Sequence, residues 1–282
     1  MPIVIAANHY GKSSVRIVRV SRHQSRHDLK EITFHIQLEG AFEAAYTSSD
    51  NSSLVTTDTM KNTVYALAKQ GDAGEQIESF ALRLAHHFLD GNAHVSQVGI
   101  EAIEHAWTRM DAHSFVRGAS EKRTARIRLT RDGAAIEAGI ADLVVLKTTG
   151  SGFAGYIRDS FTTLKETSDR ILATAIKASW SYEGENLDYA ALRDGVRAKI
   201  LEVFAERESP SVQNTAYAMG EAVLEAFPAV TRIHFSLPNK HCLLVDLAPF
   251  GMTNENEVFV PTDEPHGLIE VELRRDPAGG SR

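Results

Sequence analysis

Two stretches of alternating β-branched and polar residues, 15–20 and 32–38, predict a pair of strands joined by a polar turn. The period then lengthens. Met60, Val64, Leu67 and Ala68 recur at helical spacing behind Thr57-Asp58, so a helix is expected from there to just before Gly71. A second helix is expected from about Asp72, because Glu75 follows at the spacing of a capping box. Its apolar stripe is Ile77, Phe80, Ala81, Leu84, Ala85 and Phe88. Strand-like patterns return at 95–103, 114–116 and 124–130.

The same order then recurs. Residues 143–146 and 176–182 read as strands, and 189–206 as a helix with Leu192, Val196, Ile200, Val203 and Phe204 inward. A further helix is expected over 210–226, with Ser209 as N-cap and Pro210 at the first helical position. Strands follow at 232–237, 242–247 and 268–273. The element order is ββ-αα-ββ twice, with a break near 133–139 and no residue-level repeat. It predicts an α+β protein of two similar halves, 1–136 and 137–282.

Charge and cysteine content narrow the function classes. A formal net charge of −7 argues against a broad nucleic-acid surface while leaving room for a local cationic pocket. Cys242 is the sole cysteine, so no intrachain disulfide can form, and a reducing compartment is expected. No apolar run is long enough for a membrane span, the apolar start is too short for a signal peptide, and 279–282 carry no peroxisomal tripeptide. The expectation is a cytoplasmic protein.

Several candidates for chemistry have ordinary structural readings when taken singly. Gly150-Ser151-Gly152-Phe153-Ala154-Gly155 matches GxGxxG, with Asp169 about twenty residues on. Asp169 nevertheless precedes the next apolar run instead of ending a strand, as a dinucleotide fingerprint requires. His86 and His87 diverge by about 100° on a helix and make a poor chelate. Cys242 beside His241 sits on a strand, where neighbours point to opposite faces. Two helix starts, at Thr57-Asp58 and Val212-Gln213, offer backbone donors to an anion, yet both are also ordinary capped helices. Asn239 and His241 face the same way if the chain is extended beyond Pro238. Lys12 and Arg170 read by default as surface charges.

In combination these residues carry a resemblance. Asn8-x-Tyr10-Gly11-Lys12, Thr57-Asp58-x-x-Lys61-Asn62-Thr63-Val64-Tyr65, Trp107-Thr108-Arg109, Leu146-Lys147-x-Thr149, Phe153-x-Gly155, Arg158-Asp159, Thr162-Thr163-Leu164-x-Glu166-Thr167-x-Asp169-Arg170-Ile171-Leu172, Ser211-Val212-Gln213 and Ser236-Leu237-Pro238-Asn239-Lys240-His241 occur in order. Asn256-Glu257-Val258-Phe259 and Gly267-Leu268-Ile269 extend the set. Together they resemble the urate oxidase family over nearly the whole chain.

That resemblance implies two tandem tunnelling-fold domains, each an antiparallel sheet with two helices on one face. It implies a homotetramer with sites at subunit interfaces, and no metal or organic cofactor. Arg170 and Gln213 would grip the purine edge, Phe153 would stack on the ring, and the Val212 N–H would add a donor. Thr57 and Asp58 of a neighbouring subunit would close the far edge. Lys12, Thr57 and His241 would form the proton relay with Lys12 as main base, which requires an amine that is at least transiently neutral. Asn239 and Thr57 would form the niche for dioxygen, and the products would be 5-hydroxyisourate and hydrogen peroxide. Two other readings stay open at this point: a purine- or pterin-binding protein of the same fold without a working relay, and a nicotinamide-dependent enzyme resting on the glycine loop.

Overall fold

The computed structural model describes residues 3–72 and 74–276. The C-terminal stretch 279–282, read above for a targeting tripeptide, lies outside the described residues. The chain divides into two compact units. The first runs up to Gly139 and includes Ser181–Ala191; the second holds Ile140–Trp180 and the chain from Leu192 onward.

Alternation builds the sheet of the first unit. Its strands are β1 (Tyr10–Arg22), β2 (His27–Gly40), β3 (Val95–Arg109) and β4 (Phe115–Thr130). They neighbour one another in chain order, each pair antiparallel. On β2 every second residue, Ile32, Phe34, Ile36 and Leu38, is buried. Val98, Ile100 and Ala102 on β3 and Ala125, Ile127 and Leu129 on β4 continue that face. Helix α2 (Thr57–Gln70) packs over β1, and α3 (Ile77–Gly91) packs over β3 and β4. All six residues of the expected α3 stripe are buried, and the Phe34 and Phe80 rings lie 5.0 Å apart. A short helix, α1 (Glu43–Thr47), precedes them and has no counterpart in the expected pattern.

The later elements, which lie mainly in the second unit, repeat the arrangement. β5 (Gly133–Lys147), β6 (Leu172–Tyr182), β7 (Val230–Leu244) and β8 (Phe259–Arg274) follow in chain order, with β7 and β8 antiparallel. Helix α4 (Tyr189–Glu206) covers the expected span, and α5 (Val212–Ala226) packs over β7 and β8. Trp180, Ile176 and Ala178 of β6 and Ile233, Phe235 and Leu237 of β7 form the buried face.

Residues 133–139 lie within β5, and the first stretch of the first unit ends at Gly139. Three local expectations are corrected. The stretches 114–116 and 124–130 belong to one long strand, as do 232–237 and the start of 242–247, since β7 continues through Pro238 to Leu244. Helix α3 starts at Ile77 with Gln76 as an N-cap whose side chain makes no capping bond. Glu75 is drawn instead to Arg83, which donates to both its carboxylate oxygens at 2.9 and 2.8 Å; a bidentate charged pair outcompetes a neutral cap. Ser209 and Pro210 lie before α5, whose N-cap is Ser211, accepting from the Asn214 amide at 3.1 Å. Ser209 is held elsewhere, bridged to Ser151.

A core built on alternation makes one strand residue decisive. Phe34→Ala is expected to destabilise the protein by about 3–5 kcal/mol, since Phe34 is fully buried against Phe80. Urea unfolding at constant slope measures this. A shift worth under about 1 kcal/mol would remove Phe34 from the core.

Candidate active site

One cavity of about 190 Å³ collects most of the residues singled out above. Phe153, Leu164, Arg170, Val212, Gln213, Asn239, His241 and Ile269 line it, and all belong to the second unit. Leu164 and Ile269 were not among the expected site residues, although both stand inside the quoted motifs. Their signal was only apolarity, which a core position carries equally.

Irregular chain, not sheet, positions the grip. Phe153 and Arg170 lie in the connection between β5 and β6. The Phe153 amide donates to the Thr167 carbonyl at 2.8 Å, and the Thr167 amide returns to Phe153 at 3.1 Å. The Arg170 amide donates to the Ser151 carbonyl at 2.7 Å. A second seam ties the loop to the approach of α5: Gly152 N–H donates to Ser209 O and Ser209 N–H to Gly150 O, both at 2.9 Å. The result sets the Arg170 guanidinium carbon 5.5 Å from the Phe153 ring centre. Tyr156 stacks on Phe153 at 5.0 Å with 12° between the planes, which holds the phenyl face flat.

Arg170 is electrically exposed to need. Burial alone shifts its pKa down, with no facing carboxylate to offset it. Its Nε is buried without a hydrogen-bond partner. A guanidinium withdrawn from water without a counterion favours an incoming anion. Helix α5 adds to this. Ser211 caps it from outside, so Val212 and Gln213 are its first two residues, whose amides no intrahelical carbonyl satisfies. Asn239 and His241 enter from β7 at a register shift, where Asn239 opposes Gly267 and His241 opposes Thr262. Both line the cavity, as the extended geometry predicts.

Lys12, Thr57 and Asp58 gather at a second locus, in the first unit. Lys12 lies on β1 opposite Ile36, immediately before a register shift. Gly11 beside it is forced by close approach, since any Cβ there would sit 1.8 Å from the Ile36 carbonyl oxygen. Thr56 caps α2 by accepting from the Thr59 amide at 3.0 Å, leaving Thr57 and Asp58 as the first helical residues. Asp58 accepts from Lys61 at 2.6 Å and Asn62 at 2.8 Å. The Lys61 hydrogen bond and charge hold its carboxyl below the usual range, and the Lys12 charge contributes in the same direction. Tyr10 binds the two parts of this locus together. Its hydroxyl donates to the Val55 carbonyl at 3.0 Å and accepts from the Val55 amide at 2.8 Å.

Other motif residues are structural. Trp107 Nε1 donates to the buried Glu31 carboxylate at 2.6 Å, and Arg109 donates to Asp28 at 2.5 Å. His86 faces Asp90, and among the described residues no cluster of three or more His, Cys, Asp or Glu has a metal-holding arrangement. The glycine loop is followed by turns, not by the helix a dinucleotide fingerprint needs. A larger groove of about 630 Å³ runs beside β1, lined by Ile17 to Arg22 with Tyr65, Ala68 and Lys69. Its Arg19 is already donating to the Asp72 and Gly71 carbonyls, so the groove offers an open strand edge and not a converging site. Among the described residues no helix is long and apolar enough to cross a membrane.

Fold and cavity together define a two-unit tunnelling-fold protein with a cavity lined by a phenyl ring, a guanidinium and side-chain amides. The profile of the uricase family matches residues 8–128 and 136–270. The uricase of Arthrobacter globiformis is 47% identical over 282 residues, covering 99% of this chain and 92% of that protein. The uricase of Dictyostelium discoideum is 37% identical, covering 95% and 96%. The crystal structure of the Arthrobacter globiformis uricase superposes with a TM-score of 0.95 at 45% identity, covering 100% of this chain and 98% of that one. The chain belongs to the uricase family and is an enzyme, an oxidoreductase.

The Tyr10 clamp gives a test away from the cavity. Tyr10→Phe strands the Val55 amide and carbonyl together, and is expected to destabilise by about 1–3 kcal/mol. Amide exchange at residues 55–57 should accelerate. If the variant melts and exchanges like the parent protein, the hydroxyl is not what holds the start of α2.

Proposed function

We propose that the protein oxidises urate with dioxygen to 5-hydroxyisourate and hydrogen peroxide, in purine degradation, without metal or organic cofactor. The observation that carries this reading is the unpaired, half-buried Arg170 guanidinium above the Phe153 face, in a cavity whose remaining polar groups are amides and an imidazole. Such a lining fits a flat, anionic, hydrogen-bonding heterocycle. The arginine fork and the Gln213 amide grip one edge, the Val212 N–H adds a donor, and Phe153 supports the ring.

Dioxygen is a triplet and reacts poorly with closed-shell molecules. A urate dianion is electron-rich enough to transfer one electron to it. Recombination of the two radicals forms a carbon–peroxide bond. Loss of hydrogen peroxide then leaves a dehydrourate to which water adds, giving the 5-hydroxy product. Overall two electrons pass from urate to dioxygen, and the oxygen of water enters the ring. The protein's share is to remove protons and hold the reactants. Lys12 is the main base, Thr57 and His241 relay protons, and Asn239 with Thr57 forms the niche for dioxygen and then water.

Lys12, Thr57 and Asp58 serve this chemistry from a neighbouring copy of the chain, within a homotetramer. Strand order supports self-association, since β1 and β8 stand at the two ends of the strand order. Unpaired strand edges suit edge-to-edge pairing. A cytoplasmic setting belongs to the same reading and rests on the single cysteine, Cys242.

Two experiments test this. The purified protein in metal-free buffer should deplete urate absorbance while consuming oxygen, and Lys12→Met should cut kcat at least about a hundredfold. A folded protein that leaves urate intact overturns the activity, and a near-parental rate in Lys12→Met removes the base. Co-assembly of Lys12→Met with Gln213→Leu then tests the shared site. If two copies build each site, random pairing of these inactive variants restores about a quarter of the sites. Absence of any restoration in verified mixed oligomers places both residues in one copy.

A further inference from the structure

The glycine loop and Asp169 resembled a dinucleotide fingerprint, and they do meet, though for another purpose. Asp169 is exposed and adjacent to Arg170, yet its carboxylate turns away from solvent partners toward the loop. Oδ2 accepts from the Thr149 hydroxyl at 2.8 Å, and Oδ1 accepts from the Gly150 amide at 2.8 Å. Thr167 Oγ1 donates to the Asp169 carbonyl at 2.8 Å. The two segments so joined run in close contact: a Cβ on Gly152 would lie 3.0 Å from the Thr167 carbonyl oxygen and 3.1 Å from that of Ser168.

We propose that Asp169 is a positioning residue for the cavity, its carboxylate clasping the loop that carries Phe153 to the segment that carries Arg170. The clasp lies one residue from Arg170 and three to four residues from Phe153, so it controls the spacing of ring and guanidinium without touching the ligand. Charge-assisted bonds from a hydroxyl and an amide are about twice as strong as neutral ones. They act where no helix or strand otherwise fixes the chain. The Thr149 hydroxyl, with the Gly150 and Ser151 amides, also holds the Asp169 carboxyl below its usual range, so the clasp stays charged at neutral pH. The Ser209 amide holds the Gly150 carbonyl, and the Phe153–Thr167 pair and the Arg170–Ser151 bond grip the loop further along; the carboxylate adds a hold on the Gly150 amide and the Thr149 side chain.

This inference rests on the urate-oxidising reading for its affinity test, and the exchange test below stands apart from it. With 8-azaxanthine as probe, Asp169→Ala should weaken binding at least about tenfold and raise KM for urate similarly, with kcat within about threefold of the parent. Asp169→Asn keeps an acceptor for the Gly150 amide and should recover most of that affinity. Thr149→Val should show an intermediate loss, and combining it with Asp169→Ala should add nothing further, since partners in one bond are not additive. In parallel, hydrogen exchange over residues 149–153 should accelerate about tenfold in Asp169→Ala. A parental protein that neither binds the probe nor consumes urate defeats the proposed function, and the exchange result alone then decides on the clasp. Unchanged exchange, affinity within twofold of the parent, or strict additivity of the two substitutions overturns the proposal. Should Asp169→Ala fail to fold, Thr149→Val carries the same comparison.

Discussion

Everything at the cavity depends on keeping one guanidinium partly out of water with no carboxylate beside it. Arginine ordinarily escapes such a position by extending to solvent or pairing with an acid. Here escape is blocked because the Arg170 backbone is stitched to Ser151 and its side chain lies along Phe153. The cost of withdrawing that charge is one that an anion, under the proposed function, would offset. The nearby acids do not cancel it. Asp169 is engaged by Thr149 and Gly150, and Glu166 accepts from the Gly155 amide. Each carboxylate close in sequence is occupied by loop backbone, which leaves the arginine free for a ligand.

This arrangement explains why the regular elements matter mainly as anchors. The β5–β6 connection is largely neither helix nor strand, so the site's accuracy comes from its internal hydrogen bonds together with seams to fixed structure. Ser209 supplies one such seam just before α5, and the cap on Ser211 sets where the helix begins. Had the cap been Ser209, Val212 would sit deeper in the first turn, and the orphan amides would fall at other residues. The cap therefore sets both the geometry and the electrostatics of that wall. The register shift in β7 does the same on the opposite side by turning Asn239 and His241 into the cavity.

Much of this was legible in the amino-acid pattern, for identifiable reasons. The α3 stripe and the β2 alternation repeat at fixed periods, and a buried face leaves little choice of register. Boundaries were less legible where two local signals competed. Asp72 with Glu75 has capping spacing, but Arg83 lies nearly two helical turns into α3 and captures the glutamate. Ser209-Pro210 reads as a helix start, but the Ser209 backbone is claimed by Gly150 and Gly152, nearly sixty residues earlier in the chain. Pro238 reads as a strand boundary because it lacks a donor, yet β7 passes through it in register with Leu268 of β8. Long-range pairing decided each case, and no local window contains it. Most of the cavity residues were legible only as a set, since each alone is a common surface or turn residue. Leu164 and Ile269 were not legible even then, because apolar lining has no signature distinct from core.

The two halves share element order but have diverged in which helix start they use. In the first unit the exposed N-terminal turn belongs to α2, the earlier helix of its pair, with Thr56 as cap. In the second it belongs to α5, the later one, with Ser211 as cap. The residues at the two starts differ in kind. Thr57 and Asp58 offer a hydroxyl and an acid already drawn toward Lys61, whereas Val212 and Gln213 offer an apolar wall and a neutral amide. Under the proposed function, one start serves proton transfer beside Lys12 and the other holds a flat ring against Arg170. The recurring element order thus supplies two similar platforms, distinguished by the side chains set on the first helical turn of each.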